Sequence, residues 1–268
     1  MNNKITNALN EIHEIDELTE LDSPVHRFSA LFKLLVTIIY IGFVVSFDKY
    51  ALSAMIPMIL YPILMFSLSG IPVRLCLYKM RFILPLVMAV GIFNPFFDHT
   101  LLLVIGNMTV TGGWISMVTL MLKGVLSLMA SFILISTTKI DDICAALRFL
   151  HIPSVLVSMF LLTYRYIFIM MDEVSVMTTA YHLRAPNQKG IAFSAWGSFL
   201  GQLLLRSMDR AERIYQGMEL RGFRNEFYYS GKIRFQNTDW VFLIGFLLFF
   251  ILCRFVNVSE VIGNLIMR

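Results

Sequence analysis

Two arginines are the residues of this 268-residue chain whose type and spacing could do chemistry. Arg221 stands near the end of YQGMELRGF, residues 215–223, and Arg184 near the end of TTAYHLRAP, residues 178–186. In each, a leucine precedes the arginine and a residue suited to stopping a helix follows closely. One reads Leu220-Arg221-Gly222; the other reads Leu183-Arg184-Ala185, then Pro186. Glycine just past the last turn is an ordinary helix stop, and a cation there complements the helix dipole. Capping accounts for one such end. Two of them, closing successive half-apolar helices, are predicted contact points for a soluble partner. A guanidinium suits that task, because its planar fork of donors matches carboxylates and carbonyls in fixed geometry.

Other reactive groups give weaker signals. His13, His26, His99, His151 and His182 do not pair at metal-ligand spacing, and they are predicted to be surface or interfacial residues. Cys76, Cys144 and Cys253 are odd in number and far apart, which predicts buried free thiols rather than a disulfide framework. Gly231-Lys232 lacks the glycine that a phosphate-binding loop needs five positions earlier, where Glu226 stands. The 17 methionines are scattered over most helices, a pattern of adaptable packing rather than copper ligation. No metal or cofactor is therefore expected on this chain.

The elements that must position the arginines are mostly apolar. Hydrophobic residues make up 57% and charged residues 15%, with a mean hydropathy of +0.72, against roughly 45–50% and about 25% in globular domains. Stretches near the roughly 20 residues that cross a bilayer as helix occur at 28–47, 51–70, 82–97, 114–136 and 240–253. The expected fold class is an all-α integral membrane protein with about five transmembrane helices and two long cytosolic or interfacial helices. Lys33 is expected to snorkel to the interface. Pro57 and Pro62 are tolerable in a membrane helix. Residues 71–81 are amphipathic and basic, Asn94-Pro95 with Asp98 reads as a helix stop, and alternation around Gly106-Asn107 predicts a small hairpin over 98–113. Lys123, near the middle of the fourth span, has no evident partner in the sequence.

Basic residues assign the sides. Arg74, Lys79 and Arg81 mark the 71–81 loop, the 98–113 loop has no lysine or arginine, and residues 139–234 are rich in both. This pattern places the N-terminus in the cytosol and the C-terminus outside. Residues 1–27, with Glu11, Glu14, Asp16, Glu17, Glu20 and Asp22 and no apolar core, are not expected to be a cleaved leader. The organisation expected is an acidic cytosolic segment at 1–27, spans over 28–138, a coupling region over 139–237, and a last span with its tail over 238–268.

Residues 152–171 are long enough to cross, and 191–205 are marginal. Each runs without a breaker into a charged helical stretch, and Arg165 in the middle of the first is expensive in lipid. Both are read as long helices at or across the cytosolic interface. Over 203–222, Met208, Ala211, Tyr215 and Met218 line one stripe, with Ile214 beside them. Arg206, Arg210 and Arg213 line another, and Asp209–Arg213 is a possible i,i+4 pair.

At this point the chain resembles the transmembrane T component of energy-coupling factor transporters, specifically the cobalt-type CbiQ family. The likeness is carried by Leu183-Arg184-Ala185 and Leu220-Arg221-Gly222, which correspond to the family's paired Ala-Arg-Gly motifs. Leucine stands in place of the leading alanine in both, and Ala185 in place of the glycine in the first. It extends to TTKIDDICAALRFLHIPSVLVSMFLLTYRYIFIM, GQLLLRSMDRAERIYQGMELRGF and HEIDELTELDSPVHRFSALFKLL. The resemblance implies a non-catalytic subunit in the bacterial cell membrane. It implies two cytosolic ABC ATPase partners that bind the ATP, and a membrane-embedded substrate-binding S subunit for cobalt. Nucleic acid is not an expected partner. The arginine-tipped helices would carry motion from the ATPases into the membrane.

Nickel or a vitamin remains open as cargo, and a self-sufficient secondary transporter or channel remains open as a class. The apolar stretches contain no aspartate or glutamate, however, and proton-coupled carriers rely on such intramembrane carboxylates. An intramembrane enzyme would need a clustered nucleophile, acid or ligand set that the stretches lack.

Overall fold

The computed structural model describes residues 14–94, 101–105, 108–223 and 236–255, apart from 15, 82, 187 and 189. Residues 95–100, with Pro95, Asp98 and His99, lie outside the described residues. So do His13, Glu11, the Gly106-Asn107 turn and Gly231-Lys232. The chain divides into two compact units: Met1–Glu17 with Ile140–Lys232, and Leu18–Lys139 with Ile233–Arg268.

The second unit holds α1 (Ala30–Ser46), α2 (Leu52–Met55), α3 (Leu60–Ser69), α4 (Val73–Met80), α5 (Leu84–Ile92), α6 (Gly112–Thr137) and α10 (Asn237–Phe255). Between α5 and α6, strands β1 (Leu101–Ile105) and β2 (Met108–Thr111) pair antiparallel, Ile105 opposite Met108 and Leu101 opposite Thr111. That is the small hairpin expected from the alternation there. The first unit holds α7 (Ile140–Phe149), α8 (Ser154–Arg184) and α9 (Trp196–Leu220).

Four helical segments are long and apolar enough to cross a membrane: Leu52–Ser69, Gly112–Thr137, Ser154–Arg184 and Asn237–Phe255. Val73–Met80 and Leu84–Ile92, bent by 62°, make a fifth if they form one span. The protein is a helical, multi-pass membrane protein. The set differs in three places from the stretches expected. The span expected over 82–97 is the nine-residue helix Leu84–Ile92, which reaches span length only together with Val73–Met80, part of the stretch 71–81 expected as a cytosolic loop. Ala30–Ser46 is a helix of 17 residues, about 25 Å long, short of a hydrocarbon layer of about 30 Å. Ser154–Arg184 meets the length and hydropathy of a span, because its apolar half runs on into the charged half as one helix.

Proline shapes Leu52–Ser69. A tight 3₁₀ turn, Ile56–Ile59, follows α2 and contains Pro57. Pro62 has no N–H to give the Met58 carbonyl four residues back. The Tyr40 hydroxyl of α1 donates to that carbonyl instead, at 3.0 Å. Tyr40 also packs on Tyr61, with ring centroids 4.3 Å apart. Both rings meet Phe250 of α10, at 5.3 and 5.5 Å. A neighbouring side chain thus supplies the hydrogen bond that makes a membrane proline tolerable.

Several charged residues of this unit reach helix ends. Lys33 does not snorkel: it is 4% exposed, and its Nζ donates to the Thr137 carbonyl at the end of α6, 2.6 Å away. Lys123 of α6 donates to the Val45 carbonyl at 3.1 Å and also to that of Phe47. Arg254 of α10 donates to Ser46 O at 3.2 Å. Thus α1 and α6 each lend a lysine to the other's C-terminus, where carbonyls lack helical partners and the dipole favours a cation. The short α1 explains Lys123, which the sequence left without a role: its terminal carbonyls need donors that lipid cannot supply. At the end where Lys33 meets Thr137, Asp239 accepts from Ser29 N at 3.1 Å and from Gln236 N at 2.9 Å. One carboxylate therefore caps the N-termini of α1 and α10. Asp239 precedes the apolar stretch 240–253, but α10 begins at Asn237 and takes it into the first turn.

Where α5 meets α6, Gly124 faces Val87. A Cβ at Gly124 would lie 2.6 Å from Val87 Cγ1. Gly124→Ala is expected to cost about 1–3 kcal/mol of stability through overpacking. Adding Val87→Ala should restore much of that, and thermal unfolding of the two variants in detergent would show whether it does. An unchanged midpoint in Gly124→Ala would mean that α5 does not pack there.

Candidate functional site

The first unit carries both arginine ends. Helix α7 begins with Asp141 and Asp142 in its first turn and carries Arg148 in its last, the order its dipole favours. Burial, with a smaller contribution from Asp141, pushes the Cys144 thiol up to about 11, so it stays protonated at neutral pH. Cys76, Cys144 and Cys253 are all free and buried, as expected. Helix α7 ends on His151 in the left-handed region, φ 63°. The N–H groups of His151 and Ile152 return to Arg148 O at 3.1 Å and Leu147 O at 3.3 Å. Pro153 then opens α8, which runs 31 residues without a break. Midway along it, the Tyr164 hydroxyl donates to Asp16 Oδ1 at 2.7 Å, and Arg165 is exposed.

Helix α8 ends at Arg184. The Ala185 N–H closes the last turn onto Tyr181 O at 3.0 Å. Pro186 prevents continuation. The Tyr181 hydroxyl donates to Gln188 Oε1 at 2.7 Å and accepts from Ala192 N at 3.2 Å. Tyr181 therefore pins the connection to α9 and sets the posture of the tip. The pattern of the motif did not include Tyr181; its place one turn before Arg184 is the only sequence signal.

Helix α9 ends as its glycine predicts. Gly222 has φ 80°, its N–H bonds Glu219 O at 2.9 Å, and Phe223 N–H bonds Met218 O at 3.0 Å. These are the two bonds of a Schellman stop. Both tips are open. Leu183 is 79% exposed and Leu220 90%; Arg184, Arg221 and Gly222 are exposed, and Ala185 is half-buried. Among the described residues, the guanidinium of neither Arg184 nor Arg221 has a hydrogen-bond or ion-pair partner. Since φ is positive at both stops, Gly222→Ala should loosen its helix end by about 1 kcal/mol, and His151→Gly should tighten its own by a similar amount. Hydrogen exchange of the last turns measures both signs.

The stripe of α9 lies on its open side. Met208, Ala211 and Tyr215 are exposed, but Met218 of the same stripe is half-buried, as are Phe199, Leu203, Ser207, Arg210 and Ile214. No described residue of α9 is buried within the chain. Arg206 pairs with Glu173 of α8, whereas Asp209–Arg213 is not among the ion pairs of the described residues. An exposed pair worth a few tenths of a kcal/mol does not hold two long side chains in one geometry. In the most apolar 18-residue window of α8, 11% of residues are buried. Much of the apolar surface of both helices is thus left for lipid or another protein. No group of three or more His, Cys, Asp or Glu that could hold a metal ion occurs among the described residues.

Comparison with known proteins gives a consistent picture. The sequence pattern of the family described as CbiQ, cobalt transport protein, matches residues 22–229. The cobalt transport protein CbiQ of Rhodobacter capsulatus is 34% identical over 96 residues, covering 35% of this chain and 38% of that protein. A protein of uncharacterised role from Methanocaldococcus jannaschii is 28% identical over 111 residues, 40% of this chain and 38% of its own length. The nickel permease LarQ of Lactiplantibacillus plantarum is 27% identical over 119 residues, 44% of each chain. The matched stretches span less than half the length of these relatives.

Proposed function

The chain belongs to the CbiQ cobalt transport protein family, and on that premise we propose that it is the coupling subunit of an energy-coupling factor importer. It is a membrane component of cobalt- or nickel-type transport. In the proposed role, two cytosolic ABC ATPases bind ATP and grip the tips of α8 and α9, and a membrane-embedded substrate subunit holds the cargo. The observation that carries this reading is the pair of open Leu-Arg tips, Leu183-Arg184 and Leu220-Arg221, each on a helix stop with its own hydrogen bonds. A helix 31 residues long, about 46 Å, can convey displacement from its tip as a rigid rod. Ala185 and Gly222 act by ending the helices so that the arginines face outward.

Cobalt is the favoured cargo and nickel the alternative, since relatives of both descriptions match. The metal is substrate, and its ligands would lie on the partner subunit. In this arrangement residues 139–234, with their excess of lysine and arginine, face the cytosol, as does the N-terminus, and the C-terminus is extracytosolic. Residues 1–27, 28–138, 139–237 and 238–268 then serve as acidic lead, spans, coupling region and final span with tail.

Reconstitution tests the reading. Liposomes holding the purified chain alone should take up neither cobalt nor nickel. Liposomes that also hold the ATPases and the substrate subunit should take up metal with ATP inside. Uptake by the chain alone would establish a self-sufficient carrier and overturn the proposal.

A further inference from the structure

A groove of about 670 Å³ opens on the membrane unit, walled by Ile59, Ile63 and Phe66 on one side and Met129 of α6 on the other, and closed at one end by Gly70 and Pro72. Its walls are almost wholly apolar. The end of the groove is built by the turn between α3 and α4. Gly70, with φ 71°, stops α3, and the chain reverses through Ile71 and Pro72 into Val73, the last residue lining the groove. Arg74 follows at once, exposed, with Lys79 farther along the same helix and Arg81 just past its end. The Arg81 guanidinium lies 4.8 Å over the Tyr78 ring. Arg74 makes no contact of that kind among the described residues.

An apolar trough whose lining ends at Val73, one residue before the unpaired guanidinium of Arg74 at the start of a basic amphipathic helix, sets two chemistries in series along the chain. The trough suits a hydrocarbon chain, and the guanidinium suits a phosphate at the depth where hydrocarbon gives way to headgroups. Basic pockets between membrane helices recognise anionic headgroups in this way, and arginine binds phosphate through two parallel donors. We infer that this groove is a binding site for one anionic phospholipid, an acyl chain lying between α3 and α6 and its phosphate at Arg74. The site lies within one compact unit and does not depend on the coupling role proposed above.

The test uses the full-length chain purified in mild detergent and exposed to equal amounts of phosphatidylglycerol and phosphatidylcholine. Retained lipid is counted by native mass spectrometry. The wild-type protein should keep one phosphatidylglycerol in preference to phosphatidylcholine by about fivefold, the effect of one basic residue near the headgroup layer. Arg74→Gln, at an exposed position, should bring that ratio close to one. Met129→Trp and Ile63→Trp, each filling the groove from a different wall, should lower retention of both lipids. Circular dichroism checks their folding, and if neither folds, the Arg74→Gln ratio decides alone. No preference in the wild type, or a ratio unchanged in Arg74→Gln, overturns the inference. So does full retention in a folded tryptophan variant. If such a variant keeps its lipid but loses a membrane protein that co-purifies with the wild type, the groove is a protein contact and the inference falls.

Discussion

Arg184→Ala and Arg221→Ala together should leave the protein inserted in the membrane at normal abundance and abolish both ATPase co-purification and metal uptake. Truncating one arginine anchor at the centre of an interface costs about 2 kcal/mol or more, roughly thirtyfold in affinity. Two anchors on separate helix ends share no partner and should add, so the double variant should bind roughly a thousandfold more weakly. Neither guanidinium has a partner within the described residues, so little folded-state stability goes with them. Helix content and unfolding temperature should therefore hold. Lysine at both positions keeps charge but loses the planar fork and should fall between wild type and alanine. Leu183→Ala and Leu220→Ala, which remove exposed apolar tips, should weaken binding less. Unchanged uptake and co-purification in the double alanine variant would refute the coupling role while leaving the family membership intact.

Asp239→Ala should be the most destabilising single change in the membrane unit after gross cavity mutations. Asp239 is 2% exposed, and its two oxygens accept from backbone N–H groups of Ser29 and Gln236. Alanine leaves both donors unpaired beside apolar rings, at about 1–3 kcal/mol each. It also removes the negative charge from the positive ends of two helices. A loss of about 2–5 kcal/mol should appear as a lower midpoint of thermal unfolding in detergent. Asp239→Asn keeps one acceptor and should lose about half as much. Lys139→Ala breaks only the exposed pair with Glu20, 3.2 Å long, and should move the midpoint little. A midpoint for Asp239→Ala no lower than that of Lys139→Ala would show that α1 and α10 are not joined through this carboxylate.

Local features were legible before any coordinates. The stop at Gly222 follows from a glycine after a charged turn, and its two closing bonds return to Met218 and Glu219, only a few residues back. The hairpin around residues 106–107 follows from alternation of period two. The amphipathic, basic character of 71–81 was legible from its own residues, whereas the helix Val73–Met80 within it was not. Free thiols follow from three cysteines that are odd in number and far apart, and burial is the usual state of such residues. Arg184 and Arg221 could be picked out because a helix end needs only neighbouring residues to form, and because the same end occurs twice.

Partners distant along the chain were not legible. Lys33 read as an interfacial lysine because its nearest neighbours are apolar; its acceptor, Thr137 O, is 104 residues away. Lys123 had no visible role until the end of the short α1 was brought beside it. Tyr40 gave no sign that it repairs the backbone opposite Pro62, and Asp239 gave none that it holds the start of α1. The open stripe on α9 showed the same limit. Spacing identified Met208, Ala211, Tyr215 and Met218 as one face, and packing decided that the first three stay uncovered within the chain while Met218 is half-buried.

The sequence by itself determined that this is a helical membrane protein, where its helices stop and which two ends carry an arginine, since those properties are settled within a turn or two of each residue. The tertiary structure decided which carbonyls and amides the buried charges satisfy and which apolar faces remain open. Those outcomes depend on the side-by-side placement of segments a hundred or more residues apart, and no local spacing encodes that placement.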